Sequence, residues 1–578
     1  MDHLPPHVID TIVSYTIGQD KSKTELRTDA KPLVVPRTLY PLMSVDREWR
    51  RVASNFIGES ASIFVNSKPP NPQRGPEYAQ PLGDIITVGL EHHVRHLQLE
   101  STIEDIADGM AYSTIDSLLS LCKGKLKGVQ TVSLRVSIAY ESRRQHFFMI
   151  GHPMADQQEQ ANMEKEVSQN SRRIGELLKE AMPNIISVVY SGVHHSRFNN
   201  QPLNNAILSA LLDAAPSAQY LSVLGGELSY TTLESELAPN VKHMHVSLSN
   251  SGSNGIPELV TRFADRLEIL TVDHSGYEQF TKLFKGPVDG SPVVYSKLRT
   301  LKTSGKRYWR PEENSYTLQI NPFPELRRLI CTEVYPFSTS HVLRWIQPTV
   351  EVMEVNFSDH FYNQFVEDGV FDADSFPNLR HVNLSWSRDS SHISIADPSS
   401  ELPRVLSLSP VLEKVVFDTA ISSPNTAVAA LDRCKQLKEL SLGGSRSTIA
   451  EAIQLINRLP ELRALTISLK TSNDVNERGD ISDAEIKAFQ EKNVSQNTSK
   501  LRTLGISTFV FTTRPRAAQH ILLLASIFKS IGRIEVHSLN EKRDTAIMAA
   551  LEEAKEHRNF DDDGDDRIRC MRVELVGE

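Results

Sequence analysis

One apolar frame recurs along this chain and limits what it can fold into. It is clearest as LKELSL at residues 437–442 and LRALTI at 462–467: apolar, two polar positions, apolar, polar, apolar. It returns as LRTLKT from Leu298, LRRLIC from Leu326, LRHVNL from Leu379, LEKVVF from Leu412 and LRTLGI from Leu501. Other apolar residues in the frame add VRHLQL from Val94, VQTVSL from Val129, IISVVY from Ile185, VKHMHV from Val241, LEILTV from Leu267 and VEVMEV from Val350. Weaker copies are AQYLSV from Ala218, IGRIEV from Ile531 and IRCMRV from Ile568. Sixteen copies in one chain make it a repeat protein.

The last four positions alternate with period two, as in a short strand with one buried face. One such unit cannot bury its apolar face alone, so copies must stack and share a core. The frame resembles that of leucine-rich repeats, although its mean spacing of about 32 residues exceeds their usual 20–29. Amphipathic segments precede several frames, as in NNAILSALLDAAPSAQYLSV and STIAEAIQLINRLPELRALTI, and the second carries a capping box at Thr448 and Glu451. Proline stands before the frame at Pro183, Pro239, Pro324, Pro377, Pro410 and Pro460, where it ends a helix. The expected unit is helix, turn, strand. The expected fold is an α/β solenoid of horseshoe type over residues 91–578, with a small helical module before it.

That module spans residues 1–65. Leu4-Pro5 opens a helical pattern with Val8, Ile9, Ile12 and Val13 on one face. A second apolar set follows at Leu39, Leu42, Val45, Trp49, Val52 and Ala53. LPPHVIDTIVSY and LYPLMSVDREWRRVA, in that order and with Val45 and Trp49 four apart, resemble the opening and close of an F-box. The polar stretch at about 19–37 is longer than the F-box pattern allows and reads as an inserted loop. Residues 66–90, rich in Pro and polar residues at their start, read as a linker.

The net charge of −9 and a pI near 6.1 advertise no basic surface, and no Lys/Arg cluster suggests a nucleic-acid partner. The start MDHLPPHVID lacks the basic and apolar regions of a secretory signal, and the apolar run at 521–528 is too short to span a bilayer. Cys122, Cys331, Cys434 and Cys570 are too scattered for a zinc or redox pair and suit a reducing compartment, cytoplasm or nucleus. DDDGDD at 561–566 fails as a calcium loop, because Asp566 and Arg572 stand where Gly and Glu are required. His243 and His245 share one strand face but lack the further ligands of a metal site. With no nucleophile, phosphate-loop or metalloprotease motif, neither enzyme nor cofactor is expected, and an enzyme with its site in the 140–170 insertion is the least favoured reading.

A surface remains. The polar frame positions should face away from the core and meet a protein target, among them His243, His245, Asn356, His381, Asn383, Asp418 and Glu439. Taken together, the two regions resemble the F-box/leucine-rich-repeat proteins, especially divergent fungal forms. The resemblance implies a substrate receptor of a cullin-based ubiquitin ligase. Leu4, Pro5, Val8, Ile12, Leu42, Val45 and Trp49 would then contact the Skp-family adaptor, and the repeats would hold an unknown protein target. The alternative is a scaffold outside any ligase, whose N-terminal helices only cap the solenoid.

Overall fold

The computed structural model describes residues 59–65, 80–137, 153–192, 200–225, 228, 238–248, 255–274, 282–285, 291–305, 320–331, 340–357, 369–386, 401–418, 433–470 except 448, 500–510, 521–538 except 523, 526 and 529, 549, 551–552 and 572–577. They fall into two compact units, Met1–Leu298 and Arg299–Glu578.

In the first unit the strands are β1 Ser60–Phe64, β2 Gln80–Pro81, β3 His96–Thr102, β4 Thr131–Ser137, β5 Ser187–Ser191, β6 Tyr220–Leu224, β7 His243–Leu248 and β8 Ile269–His274. All pair parallel, in the order β2-β1-β3 and then consecutively to β8. The helices are α1 Leu82–Thr87, α2 Ile103–Ala107, α3 Met110–Cys122, α4 Pro153–Ala181, α5 Gln201–Ala214 and α6 Ile256–Arg262. The second unit carries β9 Thr300–Gly305, β10 Arg328–Cys331, β11 Val352–Phe357, β12 His381–Trp386, β13 Lys414–Asp418, β14 Glu439–Ser447, β15 Ala464–Lys470, β16 Thr503–Val510, β17 Arg533–Ser538 and β18 Arg572–Gly577. These also pair parallel, each with the next. Among its described helices are α7 Ser340–Ile346, α8 Glu401–Ser407 and α9 Ile449–Arg458. Each unit is thus a solenoid-like α/β stack.

Fifteen of the sixteen frames begin a strand at their third residue. The first frame residue is buried, and in most repeats it closes a turn, its N–H bonded to the carbonyl three residues back (four at Leu267 and Val350). Leu437 does so on Cys434, Leu462 on Leu459, and Leu379 on Phe376. The residue three before the frame is buried in these turns. That apolar anchor is a sequence signal additional to the frame. The fourth and sixth frame residues are buried, as in Leu440 and Leu442 or Leu465 and Ile467.

Three expectations change. The sixteenth frame is displaced by two residues: Arg572 pairs with Arg533, the third residue of its own frame, so the last frame runs from 570, not 568. The sheet begins at β1, inside the span read as the N-terminal module, and α1 lies inside the expected linker. Register places Gly58 at the first position of that earliest frame, so no leading apolar residue marked it. Lastly, helix before strand is not universal: residues 291–299 and 320–327 enter β9 and β10 through turns.

Of the 140–170 insertion, residues 153–170 belong to α4, 29 residues long. Its second half buries Val167, Ser171, Ile174, Gly175 and Leu178, a helical face spaced three and four apart. Asn170 donates to the carbonyls of Ile106 and Ala107, satisfying the end of α2. The capping box that can be seen is Thr102 with Asp105 at the start of α2. The one expected from Thr448 rests on a residue outside the described ones.

Candidate protein-interaction surface

Opposite the core, the third and fifth frame positions make one strand face, because side chains alternate along a strand. In the first unit much of it is recessed. Ser60, Ser62, Ser187 and Ser222 are buried there, small side chains flanked by the neighbouring strands. His243 is half-buried, and loss of solvent holds its imidazole below the usual histidine range despite the nearby Glu268. His245, only 8% exposed, does not project as a contact residue. Its Nε2 lies 2.7 Å from Asp273 Oδ2, and its Nδ1 3.4 Å from Ser222 Oγ.

A Ser, His and Asp in one chain invite comparison with nucleophilic catalysis. The exposure runs the wrong way. Ser222 is 1% exposed while the Asp273 side chain is 43% exposed, so the hydroxyl that would attack is the buried end. The arrangement ties β6, β7 and β8 together. A core cavity of about 20 Å³, bordered by Ile63, Leu99, Ile115, Ser171 and Ile174, is near the size of one water and too small for a substrate. Among the described residues, no three His, Cys, Asp or Glu are grouped to hold a metal ion. Burial pushes the thiols of Cys122, Cys331 and Cys434 up to about 11, 12 and 11, away from thiolate chemistry. Cys570 lies outside the described residues.

The second unit displays its polar positions more openly. Arg328 Nη2 meets Glu354 Oε1 at 2.9 Å, and Lys414 Nζ meets Glu439 Oε2 at 2.7 Å, each pair joining adjacent strands. His381 is exposed, and Asn383, two residues further along the same strand, is half-buried. Asn356 is half-buried, and its Oδ1 has no hydrogen-bond partner among the described residues. Asp418 ends β13. The sequence-predicted target residues therefore divide between the units: His243 and His245 in the first, the other five in the second.

Another row was not singled out from sequence. The second frame residues are neighbours along each sheet, each carbonyl accepting from the next residue of the row. Arg463 N donates to Lys438 O at 2.7 Å, and Arg502 N to Arg463 O at 2.8 Å. Their side chains pair along the same line: Lys242 with Glu268 at 2.9 Å, Arg327 with Glu351 at 3.2 Å, and Glu413 with Arg380 at 3.5 Å and Lys438 at 2.7 Å. The Lys438 hydrogen bond, helped by the charges of Lys438 and Arg380, holds the Glu413 carboxyl below its usual range. In the second unit this row contains six cations, Arg299, Arg327, Arg380, Lys438, Arg463 and Arg502, against two carboxylates, Glu351 and Glu413. The signal in sequence was the Arg or Lys directly after the leading Leu.

The expected adaptor residues, Leu4, Pro5, Val8, Ile12, Leu42, Val45 and Trp49, lie outside the described residues. No described helix is long and apolar enough to cross a membrane. The fold and surface define a parallel-strand α/β repeat protein with a polar, ion-paired strand face. No family model matches the chain, and no curated protein matches it by sequence.

Proposed function

We propose that this chain is the substrate-recognition subunit of a cullin-based ubiquitin ligase. The N-terminal F-box-like segment binds the Skp-family adaptor, and the repeats hold a protein target in the cytoplasm or nucleus. The observation that carries this reading is an arrangement in the chain. An F-box-like sequence directly precedes a stack of parallel repeats whose polar strand positions are cross-linked by ion pairs. Such a face suits recognition of a protein by hydrogen bonds and charge, with ubiquitin transfer left to other subunits.

A pull-down with the Skp-family adaptor tests it on the full chain, beside thermal melts. Leu4→Ala with Pro5→Ala should abolish adaptor binding and leave the repeats folded. Hot-spot truncations commonly cost about 2 kcal/mol or more each, roughly thirtyfold in affinity. Trp49→Ala should lose binding by unfolding the module. An unmutated chain that binds no adaptor, together with repeats destabilised by the Leu4 or Trp49 changes, would instead establish the capped scaffold.

A further inference from the structure

The row of second frame residues is unevenly balanced, and the imbalance is concentrated at β14–β16. Through β13 each described ion pair in the row sets a cation beside a carboxylate on the next strand. Beyond Glu413 the row reads Lys438, Arg463, Arg502, three cations on consecutive strands with directly bonded backbones. Lys438 is held by Glu413. Arg463 and Arg502 are exposed and form no ion pair among the described residues. Among the described residues, the nearby carboxylate of Glu461 is already bonded to Lys500 at 2.6 Å. That bond, with the charges of Lys500, Arg463 and Lys438, holds Glu461 below the usual carboxylate range, as expected where positive charge is in excess.

Adjacent strands lie about 4.8 Å apart, so the row repeats a cation faster than water and salt screen it at physiological ionic strength. Like charges side by side on neighbouring strands oppose the pairing. The opposition is removed when an anionic partner lies across the strands. The backbone N–H groups of Arg463 and Arg502 are spent on the sheet, which leaves their guanidiniums to bind, each a planar fork suited to a carboxylate.

We infer that the edge formed by Lys438, Arg463 and Arg502 docks an acidic protein segment, rich in Asp and Glu and lying across β14–β16. The inference deepens the receptor reading above and rests on it for the partner being a protein. A nucleic-acid polyanion is disfavoured because it needs a broader basic field than three adjacent strands supply.

The test is fluorescence anisotropy on the full chain with a labelled octapeptide of Asp and Glu. Its arms are the parent, Arg463→Glu with Arg502→Glu, and, as a control of equal charge change in the first unit, Lys123→Glu with Lys127→Glu. The arginine double variant should weaken binding by about tenfold or more and flatten its salt dependence, while the control moves it less than about twofold. Equal losses in the two variants would reduce the effect to net charge and overturn the inference. So would a parent that binds no peptide, or one that binds a single-stranded oligonucleotide more tightly. Melts of each variant separate misfolding from lost contact, and Arg463→Gln with Arg502→Gln, which keeps long polar side chains, must also weaken binding. The adaptor pull-down run on the same proteins is independent. Adaptor bound with no peptide bound sinks the docking edge alone, and peptide bound with no adaptor bound sinks the ligase reading alone.

Discussion

His245 on β7 holds Asp273 on β8 through a 2.7 Å contact between Nε2 and Oδ2, with Ser222 of β6 on its other nitrogen. Truncating the central member strands the buried Ser222 hydroxyl, so His245→Ala should cost about 1–3 kcal/mol. Faster hydrogen exchange in residues 220–224 and 269–274 should report it. Asp273→Asn alters the half-exposed end and should cost less than about 1 kcal/mol. An esterase activity that disappears in Ser222→Ala would overturn the structural assignment of this cluster.

Glu91 gives the first unit an acid-sensitive element. It lies buried in the 3-10 turn Glu91–His93 and bonds Lys125 of the turn Lys125–Gly128. That hydrogen bond outweighs burial and lowers the Glu91 carboxyl from 4.5. The folded state therefore prefers the ionised form, and the stabilisation is present above the unfolded value and lost as pH falls through the lowered folded one. Thermal melts between about pH 3 and pH 7 should show the parent losing stability toward acid more steeply than Glu91→Gln. Parallel curves would remove Glu91 from the acid response.

Leu440 is 2% exposed, and its strand neighbours are Val415 and Leu465. Leu440→Ala should cost about 2–5 kcal/mol from lost burial and the cavity left behind. Because solenoid stability is close to a sum over neighbours, hydrogen exchange should rise mainly in β13–β15. Unchanged exchange there would contradict the register.

Gly175 brings α4 and α5 together. A Cβ at this position would lie 2.6 Å from the Ala210 carbonyl oxygen. Gly175→Ala should therefore cost about 1–3 kcal/mol through forced separation of the helices. Adding Ala210→Gly should not restore the loss, since the obstructing atom belongs to the backbone. Recovery in the double variant would show that side chains, not the carbonyl, set the helix spacing.

The strands were legible because their signal is local. Alternation over four residues and a leading Leu place β14 and β15 with no knowledge of what they pair with. The class followed too, since a chain of such frames can bury them only by stacking. What the sequence left open depends on neighbours some 25 to 30 residues away. Whether a polar position is displayed, as at His381, or recessed, as at Ser222, is decided by the side chains on adjacent strands. The second-position row has no meaning until register sets Arg463 beside Lys438 and Arg502. β1 went unseen because Gly58 stands where the frame needs an apolar residue, yet its pairing with β3 secures it. Local alternation determines which residues form strands, while only the stacked sheet determines which of their polar side chains neutralise one another and which remain for a partner.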